Sequence, residues 1–328
     1  MSKYKNKFTS KLIIGDKMSM KKIVVAGGGV LGSQIALQSS YCGFDVTIWL
    51  RSEGSIERAK PKLERFKNIY IDTLEAMKTD ASAYCRGLSK KTDLSDEELD
   101  ELKQKAQDAY DNLTLTTSYE DAAKDADLII EAIAENPEQK IAFYTELAKY
   151  MDEKTILVTN SSTLLPSMFA EYTGRPEKYL SLHFANTIWK NNTAEVMGHP
   201  GTEQEYYDEV VKFAEEINMI PLKLKKEQPG YILNSLLVPF LSAAEALLAN
   251  DVSDHETIDK TWILATGAPA GPFHILDIVG LTTAYNIVIM NPEAQDPETT
   301  PGKIAKMLKE KIDAGETGIN AGKGFYEY

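Results

Sequence analysis

The sequence predicts an α/β protein with a doubly wound Rossmann sheet in its N-terminal part and an all-α C-terminal part. From Lys22, short β-branched runs alternate with longer segments of helical periodicity, which is typical of a parallel sheet with crossover helices. After Leu224, only helical patterns follow. A chain of 328 residues is long enough for two domains. We therefore expect a basic tail at residues 1–20, a sheet domain at 21–226 and a helical domain at 227–328.

The sheet domain is predicted to contain eight strands. Several of them are apolar on both faces, as buried parallel strands are. The predicted strands cover residues 22–26, 45–50, 113–117, 127–133, 155–160, 179–185, 194–198 and 220–224.

A segment much longer than a normal crossover separates the second and third strands, and its sequence indicates helices. Five apolar residues recur at helical spacing, namely Leu63, Phe66, Tyr70, Leu74 and Met77. A second helix is expected to begin with the capping box Ser95-Asp96-Glu97-Glu98. We therefore predict a helical hairpin at about residues 54–112. Its basic residues, taken alone, indicate only a solvated face.

The charge of the chain limits its possible partners. It has 36 Lys and Arg against 49 Asp and Glu, a formal net charge of −13. A protein that binds nucleic acid over its whole surface would be basic, so we expect no nucleic-acid partner. The first 22 residues are an exception, with seven Lys and one Asp. We assign no function to this tail.

The segment 231–248 is nearly all apolar and raises the question of a membrane span. Polar residues such as Asn234, Ser235 and Glu245 interrupt it. This pattern favours a buried helix or one in the core of an oligomer, and we expect no membrane partner.

The two cysteines, Cys42 and Cys85, are too few for a disulfide framework or a four-thiolate metal site. Neither has a Cys or His at ligand spacing. We expect a protein of the reducing cytoplasm that holds no metal.

The first strand leads into a glycine-rich loop with the spacing G-x-G-x-x-G. Gly27 permits the tight turn, Gly29 lets a pyrophosphate approach the backbone, and Gly32 allows close helix packing. Val30 and Leu31 open the helix whose free N–H groups would face the anion. Because the loop lies between a strand and a helix, it predicts a dinucleotide site.

The end of the second strand bears on which dinucleotide binds. An acidic residue there accepts the ribose 2′-hydroxyl of NAD. This strand instead ends in Leu50, followed by Arg51 and Ser52, a pair suited to a 2′-phosphate. Glu53 is the nearest acid and could still support NAD binding. The local sequence therefore favours NADP(H) over NAD(H).

A candidate catalytic pair lies on the later strands. His183 is at the carboxyl end of a predicted inner strand, where open α/β sheets bind ligands, and Glu195 follows twelve residues later. A hairpin-like return would bring them together as a proton-transferring imidazole and its orienting carboxylate. The polar run 159–163 and the lone amide of Asn234 add groups that could bind a carbonyl oxygen. The other histidines, His199, His255 and His274, have ordinary packing interpretations.

Seven motifs in order resemble the 3-hydroxyacyl-CoA dehydrogenase family from Lys22 to the C-terminus. They are AGGGVLGSQIA, EAIAENPEQK, TNSSTL, LHFAN with a glutamate twelve residues after its histidine, GYILNSLLVPFL, GAPAGPFHILDIVGL and GKGFYEY. NSSTLLPS, WKNNTAEVMG and GLTTAYNI look most similar to the bacterial branch that includes diketoreductase. The resemblance implies a Rossmann domain, a helical domain that dimerises, and hydride transfer at C3 of a 3-hydroxyacyl-CoA.

The resemblance also implies roles for individual residues. His183 matches the catalytic base, Glu195 its partner, Ser162 the serine that binds the substrate oxygen, and Asn234 an asparagine near the thioester carbonyl. The expected cofactor contacts are Gly27, Gly29, Val30, Leu31, Gly32, Leu50, Arg51, Ser52, Glu135, Lys140 and Asn160. The expected substrate contacts are Ser162, Asn186 and Asn234, with Lys60 and Lys67 in the region that receives the CoA phosphates.

Two departures from the family pattern leave alternatives open. The family usually reads HFFNP after its histidine, whereas this chain reads HFANT, followed by Trp189 and Lys190. The acid expected at Leu50 is also missing. The main hypothesis is a short-chain 3-hydroxyacyl-CoA dehydrogenase of the 3-hydroxybutyryl/acetoacetyl-CoA type. One alternative is the same chemistry on a β-keto acid, ester or sugar acid without CoA, and another is a non-catalytic protein similar to the lens crystallins.

Overall fold

The computed structural model describes residues 20–328, so the predicted tail lies almost wholly outside the described residues. The described chain divides into two compact units, one up to Tyr231 and one from Ile232 to Tyr328. The α/β fold class, with a Rossmann sheet followed by a helical part, is confirmed.

The first unit is built on an eight-stranded sheet. Its order is β3-β2-β1-β4-β5-β6-β7-β8, and all neighbours are parallel except β6 and β7. All eight predicted strands are present, most of them shorter than predicted by a residue or more. They are β1 (Lys22–Ala26), β2 (Asp45–Trp49), β3 (Thr114–Thr116), β4 (Leu128–Glu131), β5 (Ile156–Thr159), β6 (Tyr179–Phe184), β7 (Thr193–Gly198) and β8 (Ile220–Lys223).

Six α-helices accompany this sheet in the described part of the first unit. They are α1 (Val30–Tyr41), α2 (Glu53–Ala76), α3 (Asp96–Asp111), α4 (Tyr119–Ala123), α5 (Pro137–Leu147) and α6 (Gln204–Glu216). Alternate side chains of β1 enter separate cores, because successive residues of a strand point to opposite faces. Ile23 and Val25 pack in one core, and Val24 and Ala26 pack in the other.

The predicted helical hairpin consists of α2 and α3. Its capping box is present, since Ser95 Oγ accepts a hydrogen bond from Glu98 N at 3.2 Å and Glu98 Oε2 accepts one from Ser95 N at 2.8 Å. The hairpin also packs on α1, and Leu63 and Tyr70 of α2 are buried in the same core as Ile23. Its apolar side therefore belongs to the Rossmann unit.

The second unit is all-helical, with α7 (Leu233–Ala249), α8 (His255–Thr266), α9 (Pro272–Val279), α10 (Leu281–Val288) and α11 (Thr300–Asp313). Asp277 fastens the end of the chain, because its carboxylate accepts hydrogen bonds from Phe325 N, Tyr326 N and the Tyr328 hydroxyl. Within residues 20–328, no helix has both the length and the apolar character that crossing a membrane requires.

Candidate active site

The glycine-rich loop between β1 and α1 is closed on one side and open on the other. Gly27 has φ +125°, and a Cβ there would lie 2.4 Å from Ala132 O. A Cβ on Gly32 would lie 2.2 Å from Gly27 O, whereas one on Gly29 would meet no atom within 4 Å. Gly29 is the N-cap of α1, and no side chain caps this helix. Open space thus meets free backbone N–H groups, as dinucleotide phosphates require.

The end of β2 presents a basic and hydroxylic surface beside this loop. Leu50 is buried, and its Cδ2 occupies the side of Gly28. Its role as a cofactor contact stays a prediction. Arg51 and Ser52 are exposed, as a ribose or phosphate site requires.

Three further residues of α2 lie at this corner, and they are not among the site residues predicted from the sequence. Ser55 Oγ lies 3.1 Å from Ser52 Oγ and accepts a hydrogen bond from the Arg58 guanidinium at 2.9 Å. Lys62 Nζ donates to Gly28 O at 3.2 Å. The sequence does contain a signal for this cluster. Ser52, Ser55 and Arg58 are three residues apart, and residues at this spacing lie on the same face of a helix.

Glu131, at the end of β4, organises a buried polar network. Its carboxylate accepts hydrogen bonds from Lys140 Nζ at 2.7 and 2.8 Å, from the Tyr144 hydroxyl and from Thr159 Oγ1. Both Glu131 and Lys140 are at most 1% exposed. Lys140 is predicted to lie beside the cofactor, and in the structure its ammonium group contacts the carboxylates of Glu131 and Glu135. Its cofactor role stays a prediction.

Glu135 joins this network to the loop after β5. It accepts hydrogen bonds from Ser161 Oγ and Ser162 N, both at 2.7 Å, and its other oxygen lies 3.4 Å from Lys140 Nζ. Burial alone would raise the pKa of Glu135, but these hydrogen bonds and the Lys140 charge outweigh burial and leave the pKa below its usual value. Glu135 is therefore an ionised group at the carboxyl edge of the sheet.

Asn160 follows β5, and its side-chain oxygen accepts a hydrogen bond from Phe184 N at 3.1 Å. This bond ties the ends of β5 and β6 together. The amide thus joins the loop that carries Ser162 to the end of the strand that carries His183, a structural role that the sequence did not reveal. The cofactor role of Asn160 stays a prediction.

His183 stands at the centre of a three-residue relay. Its Nδ1 lies 3.1 Å from Glu195 Oε2, and its Nε2 lies 3.1 Å from Ser162 Oγ. His183 and Glu195 are partners in the antiparallel register of β6 and β7, so the predicted contact is present. When Nδ1–H donates to the carboxylate, Nε2 of the neutral ring is free to take a proton. The geometry suits general acid–base chemistry, while the assigned roles stay predictions.

Tyr231 covers one face of this imidazole and was missed as a site residue. The two ring centroids are 4.4 Å apart with an interplanar angle of 12°. The Tyr231 hydroxyl donates to Ser161 O at 2.7 Å. In the sequence this tyrosine was only the start of an apolar segment, and only the fold shows where its ring lies.

The segment after His183 contains a buried aromatic residue and an exposed asparagine. Trp189 is buried against Phe66 and Tyr70 of the hairpin, at centroid distances of 5.9 and 5.3 Å. It is thus a core residue. Asn186 is exposed, and its carbonyl accepts a hydrogen bond from Asn191 Nδ2 at 2.9 Å. Its substrate role stays a prediction.

The two lysines assigned to CoA lie on α2, seven residues apart. Lys60 forms an ion pair with Glu57 at 2.7 Å, and Lys67 Nζ lies 5.3 Å from the centroid of the Tyr110 ring. Seven residues are close to two helical turns, so both lysines share one face of the helix. Asn234, in the first turn of α7, belongs to the second unit. These three assignments stay predictions.

The remaining candidates have packing roles. His199 Nε2 lies 2.8 Å from Pro176 O, and His255 packs against the rings of Phe273 and Phe325. Burial raises the pKa of the Cys42 thiol to about 11 and also raises the pKa of Cys85. Within residues 20–328, no group of His, Cys, Asp or Glu side chains could hold a metal ion.

A Rossmann sheet with an open glycine loop and an imidazole–carboxylate pair at its carboxyl edge defines a nicotinamide-dependent oxidoreductase. The chain belongs to the 3-hydroxyacyl-CoA dehydrogenase family. The family model of the NAD-binding domain matches residues 22–228, and that of the C-terminal domain matches residues 230–328. The recognised family and its dehydrogenase class are thereby confirmed, which favours an enzyme over the structural alternative.

Individual relatives cover nearly the whole chain. The solved structure of a diketoreductase, described as acting on dicarbonyl compounds, is 44% identical, covers 94% of this chain and 99% of its own, and has a TM-score of 0.81. The 3-hydroxybutyryl-CoA dehydrogenase of Clostridioides difficile is 28% identical over 94% of this chain and 99% of its own length. The mitochondrial hydroxyacyl-coenzyme A dehydrogenase of Rattus norvegicus is 29% identical over 95% and 92%.

Proposed function

We propose that this protein transfers a hydride between a nicotinamide cofactor and C3 of a short-chain 3-hydroxyacyl-CoA, of the 3-hydroxybutyryl/acetoacetyl-CoA type. The observation that carries the proposal is the Ser162–His183–Glu195 relay at the carboxyl edge of a dinucleotide-binding sheet. The family and the Clostridioides difficile relative support the choice of substrate class.

In the proposed reduction, protonated His183 donates a proton from Nε2 to the oxygen that becomes the C3 hydroxyl. Ser162, 3.1 Å from this nitrogen, would donate a hydrogen bond to the same oxygen and hold it in line. Glu195 supports the positive charge of the ring and fixes its Nδ1 proton. In oxidation, neutral His183 removes the hydroxyl proton. The bound nicotinamide supplies or accepts the hydride.

Residues of the first unit would hold the cofactor. The open side of Gly29 and the start of α1 would bind the pyrophosphate. Glu135, ionised and fixed by the loop of Ser161 and Ser162, would lie on the nicotinamide side, as the family resemblance implies.

We infer that the preferred cofactor is NADP(H). Leu50 offers no carboxylate to a ribose hydroxyl, and Arg51, Ser52, Ser55 and Arg58 present two cations and two hydroxyls at the same corner. A 2′-phosphate is bound well by such a set. Steady-state kinetics with each cofactor test this, and a higher kcat/KM with NADH would contradict it.

A second candidate function is the same chemistry on a substrate without CoA. The diketoreductase structure, 44% identical, favours it, as does the departure at residues 185–187 from the family's usual sequence. One experiment separates the two. NADH or NADPH is crossed with acetoacetyl-CoA or acetoacetate, and the substrate with a kcat/KM at least about tenfold higher identifies the class, a difference of roughly 1.4 kcal/mol.

We propose that the second unit dimerises with another copy of the chain. Leu236, Leu264 and Met290 are 69%, 74% and 78% exposed in the single chain, and this apolar surface is available for a second copy to cover. Light scattering during size-exclusion chromatography would give a dimer mass, and a monomer at micromolar concentration would contradict the proposal. We also propose a cytoplasmic location, which imaging of the tagged chain in its native cell would test.

A further inference from the structure

The imidazole of His183 is held by contacts in its plane and by one contact on its face. Glu195 and Ser162 lie near its two nitrogens. Both act along its edge and make no contact with its faces. The ring of Tyr231 lies nearly parallel to it at 4.4 Å and blocks rotation out of that plane. The stack therefore reinforces the direction in which the two hydrogen bonds point Nε2.

Tyr231 is itself firmly held. Its side chain is 1% exposed, and its hydroxyl donates to Ser161 O in the loop that also carries Ser162. Its backbone has φ +55°, and the preceding Gly230 has φ +78°. A left-handed conformation is unusual for a bulky residue and costs free energy, which the surrounding contacts must offset. The backbone at Tyr231 is therefore held in a strained conformation in which the phenol ring lies over the imidazole.

The face of an aromatic ring attracts a cation within about 6 Å of its centroid. The Tyr231 ring would therefore stabilise protonated His183, the form that donates the proton in reduction. Burial raises the pKa of Tyr231 itself, so its phenol stays neutral. The charges that act on Tyr231 come from Glu135 in the loop after β4, Glu195 on β7 and Glu131 at the end of β4, which is paired with Lys140.

We propose that Tyr231 is a positioning residue that fixes the plane of the His183 ring and favours its protonated form through stacking. The proposal rests on the proposed role of His183 as the acid–base group. The proposed effect comes from the aromatic face of residue 231. Phenylalanine should therefore preserve the effect, whereas an aliphatic side chain of similar burial should not.

The test measures the titration of His183 directly, by NMR of protein labelled at its histidines. The His183 signals are assigned by their loss in His183→Gln. In Tyr231→Phe we expect the titration midpoint to stay within about 0.3 units of the original. In Tyr231→Leu we expect it to fall by about half a unit to one unit, because the apolar cover stays and the aromatic face is lost.

A third variant at position 231 provides the test if Tyr231→Leu fails to fold. Pentafluorophenylalanine at position 231 has nearly the shape of phenylalanine but an electron-poor face, so the midpoint should fall relative to Tyr231→Phe. Tyr172→Leu, at an exposed tyrosine, is the control and should leave the midpoint unchanged. Equal midpoints in the folded Phe, Leu and pentafluorophenylalanine proteins would overturn the proposal.

Activity gives the second readout. The rate of reduction should fall at alkaline pH as His183 loses its proton. In Tyr231→Leu this fall should occur at a lower pH, in parallel with the NMR titration midpoint. The kcat should fall about tenfold as the ring tilts, which is less than the roughly hundredfold or more that a positioned acid contributes. If the original protein reduces no 3-keto substrate, the proposed function fails, and the NMR series still decides whether the stack stabilises the imidazolium.

Discussion

Glu195 stands directly opposite His183 across the antiparallel pair β6–β7, and its Oε2 lies 3.1 Å from Nδ1 of the imidazole. In a sheet that is otherwise parallel, this single antiparallel pair brings two residues twelve positions apart into contact at the carboxyl edge. We expect His183→Gln to lower kcat at least about a hundredfold, because the proton donor is lost. Glu195→Gln should lower it at least about tenfold, because the imidazolium loses its counter-charge.

Stopped-flow and steady-state kinetics would measure both variants, with cofactor binding followed by fluorescence. The dissociation constant of the cofactor should stay within about twofold of the original, since neither residue belongs to the glycine loop. Turnover near the original level in His183→Gln would show that another group carries the proton.

Much of this site follows from local sequence, and the rest depends on the tertiary fold. The succession of strands and helices along the chain, the glycine loop and the His183–Glu195 contact depend on periodicity and short spacings, which a single sequence displays. Tyr231 contacts His183 from 48 residues away, and Lys62 contacts Gly28 from 34 residues away. No local sequence pattern indicates such contacts. Trp189, which follows the HFANT motif, is a core residue packed on the hairpin, and this contact too depends on the tertiary fold.

The basic corner beyond β2 should decide cofactor choice. We expect Arg51→Ala and Arg58→Ala each to raise KM for NADPH about tenfold and to leave KM for NADH nearly unchanged, because only NADPH has a 2′-phosphate to lose its partner. Arg86→Ala, at another exposed arginine of the same unit, is the matched control. A parallel rise in KM for both cofactors would mean that the arginines support the fold of α2 and do not read the phosphate.

Lys60 and Lys67 of α2 test the CoA hypothesis. In the double variant Lys60→Gln/Lys67→Gln, KM for acetoacetyl-CoA should rise at least about threefold, because two cations near the CoA phosphates are lost. KM for acetoacetate should not change. Lys149→Gln is the control, since Lys149 forms an exposed i,i+3 pair with Glu146 just as Lys60 does with Glu57. Equal effects on both substrates would count against CoA.

Removing one partner of the buried pair of Lys140 and Glu131 should destabilise the first unit strongly. Lys140→Met would leave a fully buried carboxylate without its cation, and we expect it to lower the free energy of unfolding by about 3–5 kcal/mol. Adding Glu131→Gln should cost less than the sum of the two single changes, since the uncompensated charge is then absent. Urea denaturation measures all three, with Lys149→Met as an exposed control expected to change stability by less than about 0.5 kcal/mol.

Glu245 should make the stability of the second unit depend on pH. Its side chain lies in α7, 2% exposed, and its Oε1 has no hydrogen-bond partner in the described structure. Burial raises the pKa of Glu245 to about 7. In the unfolded chain the carboxyl has its ordinary pKa of about 4.3. Between these two values the unfolded state ionises while the folded state keeps its proton, so stability is lost as pH rises toward about 7.

In the original protein the free energy of unfolding should fall by about 2 kcal/mol between pH 5.5 and pH 8, because Glu245 contributes about 1.4 kcal/mol per pH unit up to its pKa. We expect Glu245→Gln to remove this loss. The readout is the change in unfolding free energy between the two pH values at fixed protein concentration, because the amide could alter absolute stability at both. Glu310→Gln, at an exposed position of α11, should leave the pH dependence as it is in the original protein. An unchanged pH dependence in Glu245→Gln would mean that the carboxylate finds a partner, such as a cation from a second copy of the chain, in the assembled protein.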